Sequence, residues 1–156
     1  MAPTNGCIKL NVDVAVNTRS YFLAVAQYDQ GEIIKAWAKE VNIVNIVNHL
    51  VVETYVVCWA LRVSQNCGFS NIMVEGDAKN CFDDLNGLAV DYRWSIDFFC
   101  RDAKTCSIDF IFCSFCWIRR KANYVTHSFT KFACKKLLLF LVVIRPVFLP
   151  LQVRHG

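Results

Sequence analysis

The sequence predicts a single α/β domain, and three observations lead there. Runs with strand character and runs of helix length follow one another along the chain. A carboxylate, Asp77, closes the short apolar pattern Asn71-Ile72-Met73-Val74 and stands directly before a new helix. The 156 residues, 55% of them hydrophobic, are enough for one full core and too apolar for a disordered chain. An acid at the carboxyl end of a strand lies in the crevice that open sheets use for ligands, so the same feature that suggests the fold also suggests where its chemistry sits.

The elements can be taken in order. Residues 7 to 14 read as a first strand, and residues 21 to 28 as a second beyond a polar loop containing Asn17-Thr18-Arg19-Ser20. Asp29-Gln30-Gly31-Glu32 is a turn, and Ile33 to Val41 continues as a third strand, which makes the first three an antiparallel meander. The valines between Asn48 and Asn66 favour a strand locally, but the run is too long for one before the Cys67-Gly68 stop, and length favours a helix. A strand at 71 to 75 follows, then a helix from Ala78 to Leu85 closed by Asn86-Gly87. Ile96, Phe99, Cys100 and Ala103 fall at helical spacing between Trp94 and Thr105. A last strand is expected from Ser107 to Ile118, apolar on both faces as a central or doubly covered strand is. From Asn123 onward Val125, Phe129, Phe132 and Ala133 form the apolar stripe of a final helix.

Charge and cysteine content narrow the function. Six of the seventeen basic residues fall between Arg119 and Lys136, so the net charge of +4 is a local patch suited to a polyanion. The nine cysteines are odd in number and lack framework spacing, which disfavours a secreted disulfide scaffold and favours reduced core residues. In Cys113-Ser114-Phe115-Cys116 an offset of three along a strand sends the thiols to opposite faces, away from a shared zinc ion. The N-terminal residues carry no secretion signal, and an intracellular protein is expected. The apolar run Leu137 to Ile144 is stopped by Arg145-Pro146, short of the roughly 20 residues of a membrane span, so stable membrane insertion is not expected.

Three acids sit in apolar frames: Asp13 after the first strand run, Glu53 within Val51-Val52-Glu53-Thr54-Tyr55-Val56-Val57, and Asp77. Buried unpaired carboxylates are costly, and a shared cation would offset that cost. Each has a plainer reading. Asp13 could be a strand-end turn residue and Asp77 a helix N-cap. Glu53 could pair with His49 one helical turn earlier, which contributes only about a few tenths of a kcal/mol.

The order β-β-β-α-β-α-α-β-α, with acids at the first strand, first helix and fourth strand, resembles the ribonuclease H type 1 domain in its plant, retroelement-derived form. The resemblance runs from about Ile8 to Cys134. It rests on Lys9-Leu10-Asn11-Val12-Asp13, on Gly68-Phe69-Ser70-Asn71-Ile72-Met73-Val74-Glu75-Gly76-Asp77-Ala78-Lys79, and on Arg119-Arg120-Lys121-Ala122-Asn123-Tyr124-Val125-Thr126-His127. It implies a ribonuclease H-like α/β fold: a mixed five-stranded sheet, strands 1 to 3 antiparallel and strands 1, 4 and 5 parallel, flanked by helices. The domain would span residues 7–136, with 137–156 an apolar C-terminal tail. The implied activity is endonucleolytic hydrolysis of the RNA strand of RNA–DNA hybrids. Asp13, Glu53 and Asp77 would hold two Mg²⁺ ions, with Mn²⁺ as a possible substitute, and His127 would complete the catalytic set. Arg119, Arg120, Lys121 and Asn123 would bind the nucleic acid, and a monomer is expected. Hard Mg²⁺ favours oxygen ligands, which suits such a set.

The chain departs from the family pattern at Val14, where glycine is usual, and in a shortened loop between the first two strands. A β-branched residue there could obstruct the close approach of substrate. Two other functions therefore stand beside the enzyme: a catalytically impaired nucleic-acid-binding remnant of a retroelement, and a structural or membrane-associated interaction protein relying on the cysteines and the tail.

Overall fold

The structure, a computed structural model, describes residues 6–16, 20–41, 49–87 and 94–124. Five strands and three helices alternate as the sequence predicts: β1 (Ile8–Val16), β2 (Ser20–Gln27), β3 (Ile33–Val41), α1 (His49–Asn66), β4 (Asn71–Gly76), α2 (Lys79–Leu85), α3 (Trp94–Ser107) and β5 (Phe112–Trp117). The sheet order is β3-β2-β1-β4-β5. β1 pairs antiparallel with β2, and β2 with β3; β4 runs parallel to both β1 and β5. This is the mixed sheet of a ribonuclease H-like fold.

Alternation along β1 divides its side chains between two faces. Ile8, Leu10 and Val12 join the main core with Phe22, Ala24, Ile72 and Val74, under α1. Lys9 and Asn11 point the other way, Lys9 to Glu75 and Asn11 to Gln27 and Asn123. The meander turns tightly at Gly31, whose φ of +89° suits glycine, and the Gly31 N–H donates to the Tyr28 carbonyl at 2.9 Å.

Helix α1 forms despite its valines because nearly its whole inner surface is buried. Val52, Val56, Val57, Trp59, Leu61 and Val63 all enter the core, and burying each such side chain contributes about 1.5–3 kcal/mol, more than β-branching costs a helix. Gly68 ends it in a left-handed turn, with its N–H donating to the Gln65 carbonyl at 2.9 Å. Gly87 closes α2 in the same way.

The last strand differs from the expectation of residues 107 to 118. β5 is shorter, lies at the sheet edge among the described elements, and is half-buried rather than doubly covered. α3 continues to Ser107, and residues 108 to 111 form a turn in which the Phe110 N–H donates to the Ser107 carbonyl at 3.2 Å. Ile108 and Ile111, which read as strand residues, are 79% and 83% exposed in that turn. Within β5, Cys113 pairs opposite Ile72 and Cys116 opposite Glu75, so the two thiols face opposite sides as expected. The eight described cysteines are all free, and four of them are buried. No helix among the described residues is long and apolar enough to cross a membrane. The final helix expected beyond Tyr124, His127 within it, and the 137–156 tail lie outside the described residues.

Candidate functional site: three coupled acids beside a basic turn

The pairing of β1 with β4 brings together the chain segments that carry two distant aspartates. Leu10 lies opposite Val74 and Asn11 opposite Glu75. The parallel pairing ends there; Asp13 follows two residues on within β1, and Asp77 two residues on, just past the end of β4 at Gly76. Here the connection from β1 leaves toward β2 and the connection from β4 toward β5, so the strand ends border the kind of crevice in which open sheets bind ligands.

Close packing delivers Asp77 to this position. A side chain at Gly76 would bring a Cβ within 2.7 Å of the Phe82 ring and 3.2 Å of Val12 Cγ2, so glycine there lets α2 settle onto the end of β4. Asp77 is half-buried, and its Oδ2 is shielded from solvent with no hydrogen-bond partner. Asp13 is 4% exposed. Glu53 comes from the second turn of α1, between the core residues Val52 and Val56.

Electrostatics ties the three acids together. Burial, then the charges of Asp13 and Asp77, push the Glu53 carboxyl up to about 8, and Arg120 pulls modestly the other way. Four side chains from four segments thus share one electrostatic neighbourhood. The alternative pairing of Glu53 with His49 is not what sets its charge state. Among the described residues, no group of three or more His, Cys, Asp or Glu side chains is placed closely enough to hold a metal ion as it stands. The donor set nevertheless fits a hard divalent cation: oxygen ligands only, mutual repulsion to be neutralised, and one buried carboxylate oxygen without a partner.

The basic residues occupy the turn that leaves β5. Arg119, Arg120 and Lys121 are exposed, and the turn is closed by the Ala122 N–H donating to the Arg119 carbonyl at 2.8 Å. Asn123, grouped with them by sequence as a nucleic-acid contact, has a different task. It is 1% exposed; its Nδ2 donates to the Val12 carbonyl at 3.0 Å, and its Oδ1 accepts from Asn11 Nδ2 at 3.3 Å. Gln27 Nε2 in turn donates to Asn11 Oδ1 at 3.3 Å. The side chain anchors the basic turn beneath β1 and has no surface to offer a ligand, since a buried amide satisfies its polar atoms internally. Sequence type alone could not distinguish these roles.

Val14 also lies differently from what its departure suggests. It continues the β1 strand opposite Phe22, in ordinary extended pairing, and packs against the core cluster on the side away from Asp13. Two residues that sequence reasoning passed over belong to this region. Glu75 is buried and paired with Lys9 at 3.1 Å, and Trp117 closes over the Asp77 connection. Their only sequence signals were a second acid two residues before Asp77 and a tryptophan ending the last strand.

Comparison with known proteins agrees with this architecture. The family profile described as reverse transcriptase-like matches residues 11–133. Ribonuclease H1 from the halophilic archaeon Halobacterium salinarum superposes with a TM-score of 0.69 at 17% identity, over 78% of this chain and 92% of that one. The N-terminal ribonuclease H domain of a Mycobacterium tuberculosis protein, solved fused to maltose-binding protein, gives 0.67 at 12% identity, over 84% and 98%. LC11 ribonuclease H1, solved in complex with an RNA/DNA hybrid, gives 0.71 at 14% identity, over 84% and 99%. No curated protein sequence matches the chain.

Proposed function

The chain belongs to the reverse transcriptase-like family, and from that premise we propose that it is a metal-dependent endonuclease that cleaves the RNA strand of RNA–DNA hybrids. The observation that carries this reading is the electrostatic coupling of three acids from β1, α1 and the end of β4: Glu53 is raised to about 8 by burial and by the charges of Asp13 and Asp77. Three acids packed together repel one another and would also repel a phosphate. Their arrangement makes chemical sense when a cation is the intended guest. That the similar LC11 enzyme was solved with an RNA/DNA hybrid supports the choice of substrate.

In this reading Asp13, Glu53 and Asp77 would hold Mg²⁺, or Mn²⁺ in its place, and His127 would be a further catalytic group. Bound divalent ions of this kind neutralise developing charge on phosphoryl oxygens and activate water. The chain's own residues do the rest. Arg119, Arg120 and Lys121 attract and seat the phosphate backbone, and Asn123 fixes the turn that presents them. The buried carboxylates exclude bulk water from one side of the site. Recognition of RNA over DNA requires contact with 2′-hydroxyls across a wide minor groove.

A second reading is a domain that binds hybrid without cutting it, favoured because no three acids, histidines or cysteines among the described residues are placed to hold a metal ion as they stand. One experiment separates the two. Labelled RNA–DNA hybrid, double-stranded DNA and double-stranded RNA are incubated with the protein in Mg²⁺ and in chelator. The enzyme cuts the RNA strand of the hybrid alone, and only with Mg²⁺; a binder shifts the hybrid in a gel and leaves it whole.

A further inference from the structure

Asp77 reaches the site from the short connection between β4 and α2, and a connection by itself leaves its backbone free to turn. The end of β5 removes that freedom. Trp117 lies opposite Gly76 in the parallel pairing, and the Ile118 N–H donates to the Gly76 carbonyl at 2.9 Å. One residue further on, the Trp117 indole Nε1–H donates to the Asp77 carbonyl at 3.2 Å. The indole is itself held in place: Lys79 Nζ stands 5.8 Å from its ring centroid and is paired with Asp83 at 2.7 Å. With its carbonyl engaged by Trp117, Asp77 keeps its carboxylate for the site, where Oδ2 is buried without a hydrogen-bond partner.

We propose that Trp117 is a positioning residue, whose indole N–H fixes the Asp77 backbone so that the carboxylate is presented to a divalent cation shared with Asp13 and Glu53. The inference rests on the reading of these acids as metal ligands. Trp117 touches neither the cation nor the reacting phosphate in this role. It acts through the orientation of Asp77, and small errors in such orientation are costly to metal sites. A rival role for a part-exposed tryptophan near basic residues is to stack on a base of the substrate, and that role needs the ring but not the N–H.

Trp117→Phe in the full chain separates these roles, because it keeps an aromatic ring beside Lys79 and deletes the donor. The Mg²⁺ concentration giving half of the Mg²⁺-induced rise in Tm should increase about three- to tenfold, the range expected for one lost hydrogen bond. On hybrid, kcat should fall while KM for the hybrid stays the same. An unchanged Mg²⁺ midpoint, or a higher KM with kcat intact, overturns the proposal. The wild-type indole supplies a readout that needs no activity. In ¹⁵N–¹H spectra of metal-free protein the Trp117 Nε1–H should exchange slowly with solvent and shift when Mg²⁺ is added. Fast exchange in a protein that binds Mg²⁺ overturns the positioning role alone. A protected indole in a protein that neither responds to Mg²⁺ nor cuts hybrid overturns the metal-site reading and this inference with it. Should Trp117→Phe fail to fold, the wild-type exchange and its Mg²⁺ shift decide.

Discussion

Glu53 is a carboxylic acid whose surroundings oppose its charge. Burial comes first, and the negative neighbours Asp13 and Asp77 add to it, so the group ionises near 8 instead of near the ordinary 4.5. Between those pH values the folded chain holds a proton that the unfolded chain has released. Stability in chelator should therefore fall as pH rises through that window, the reverse of the usual behaviour of a salt-bridged acid. Urea midpoints measured at several pH values from 5 to 9 check this, and Glu53→Gln should flatten the decline. Mg²⁺ must displace the same proton, so the concentration needed to stabilise the fold should drop toward pH 8. Glu53 was legible in the sequence because a lone charge in a valine-rich run needs a reason. The inward turn of Asn123 was not, because an amide is equally suited to a ligand and to a backbone carbonyl such as that of Val12.

At the scale of elements, the site depends on how tightly β4, α2 and the basic turn are joined to β1. Gly76→Ala places a methyl group against the buried Phe82 ring, and overpacking of this kind typically costs about 1–3 kcal/mol. Chemical denaturation should show that loss, together with a weaker response to Mg²⁺ as Asp77 is displaced. Asn123→Ala leaves the Val12 carbonyl and the Asn11 amide without their partner, which should cost on the order of 1–3 kcal/mol even though no nucleic acid is touched. If Asn123→Ala weakens hybrid binding strongly at unchanged stability, its structural assignment is wrong. The strand and helix order was readable from alternation, length and the glycine stops at Gly31, Gly68 and Gly87. The limits of β5 were not, since Ile108, Phe110 and Ile111 continue the apolar run through what is in fact a helix end and a turn. Hydrophobic pattern records which residues are apolar, not where α3 is capped.

For the molecule as a whole, two groups of charge stand beside each other: the acids Asp13, Glu53 and Asp77, and the exposed cations of the turn after β5, of which Arg120 acts on Glu53. A polyanion would be held by the second and presented to the first. Affinity for hybrid should fall steeply with salt, because each phosphate contact releases counterions and steepens the log–log slope by about 0.7–0.9. Replacing Arg119, Arg120 and Lys121 together by glutamine should lower that slope by about two to three and weaken binding to all sequences alike, since phosphate contacts do not read bases. Salt-independent binding would place the interface elsewhere. The central claim is that Asp13, Glu53 and Asp77 act as one divalent-cation site that cuts RNA in a hybrid, and Asp77→Asn tests it most directly, because the change removes a charge with little change in volume. Cleavage of labelled hybrid and the Mg²⁺-induced rise in Tm are measured side by side for wild type and variant. The account predicts a variant that is folded in chelator, no longer gains stability from Mg²⁺ and no longer cuts; an Asp77→Asn protein that retains full Mg²⁺-dependent cleavage contradicts it.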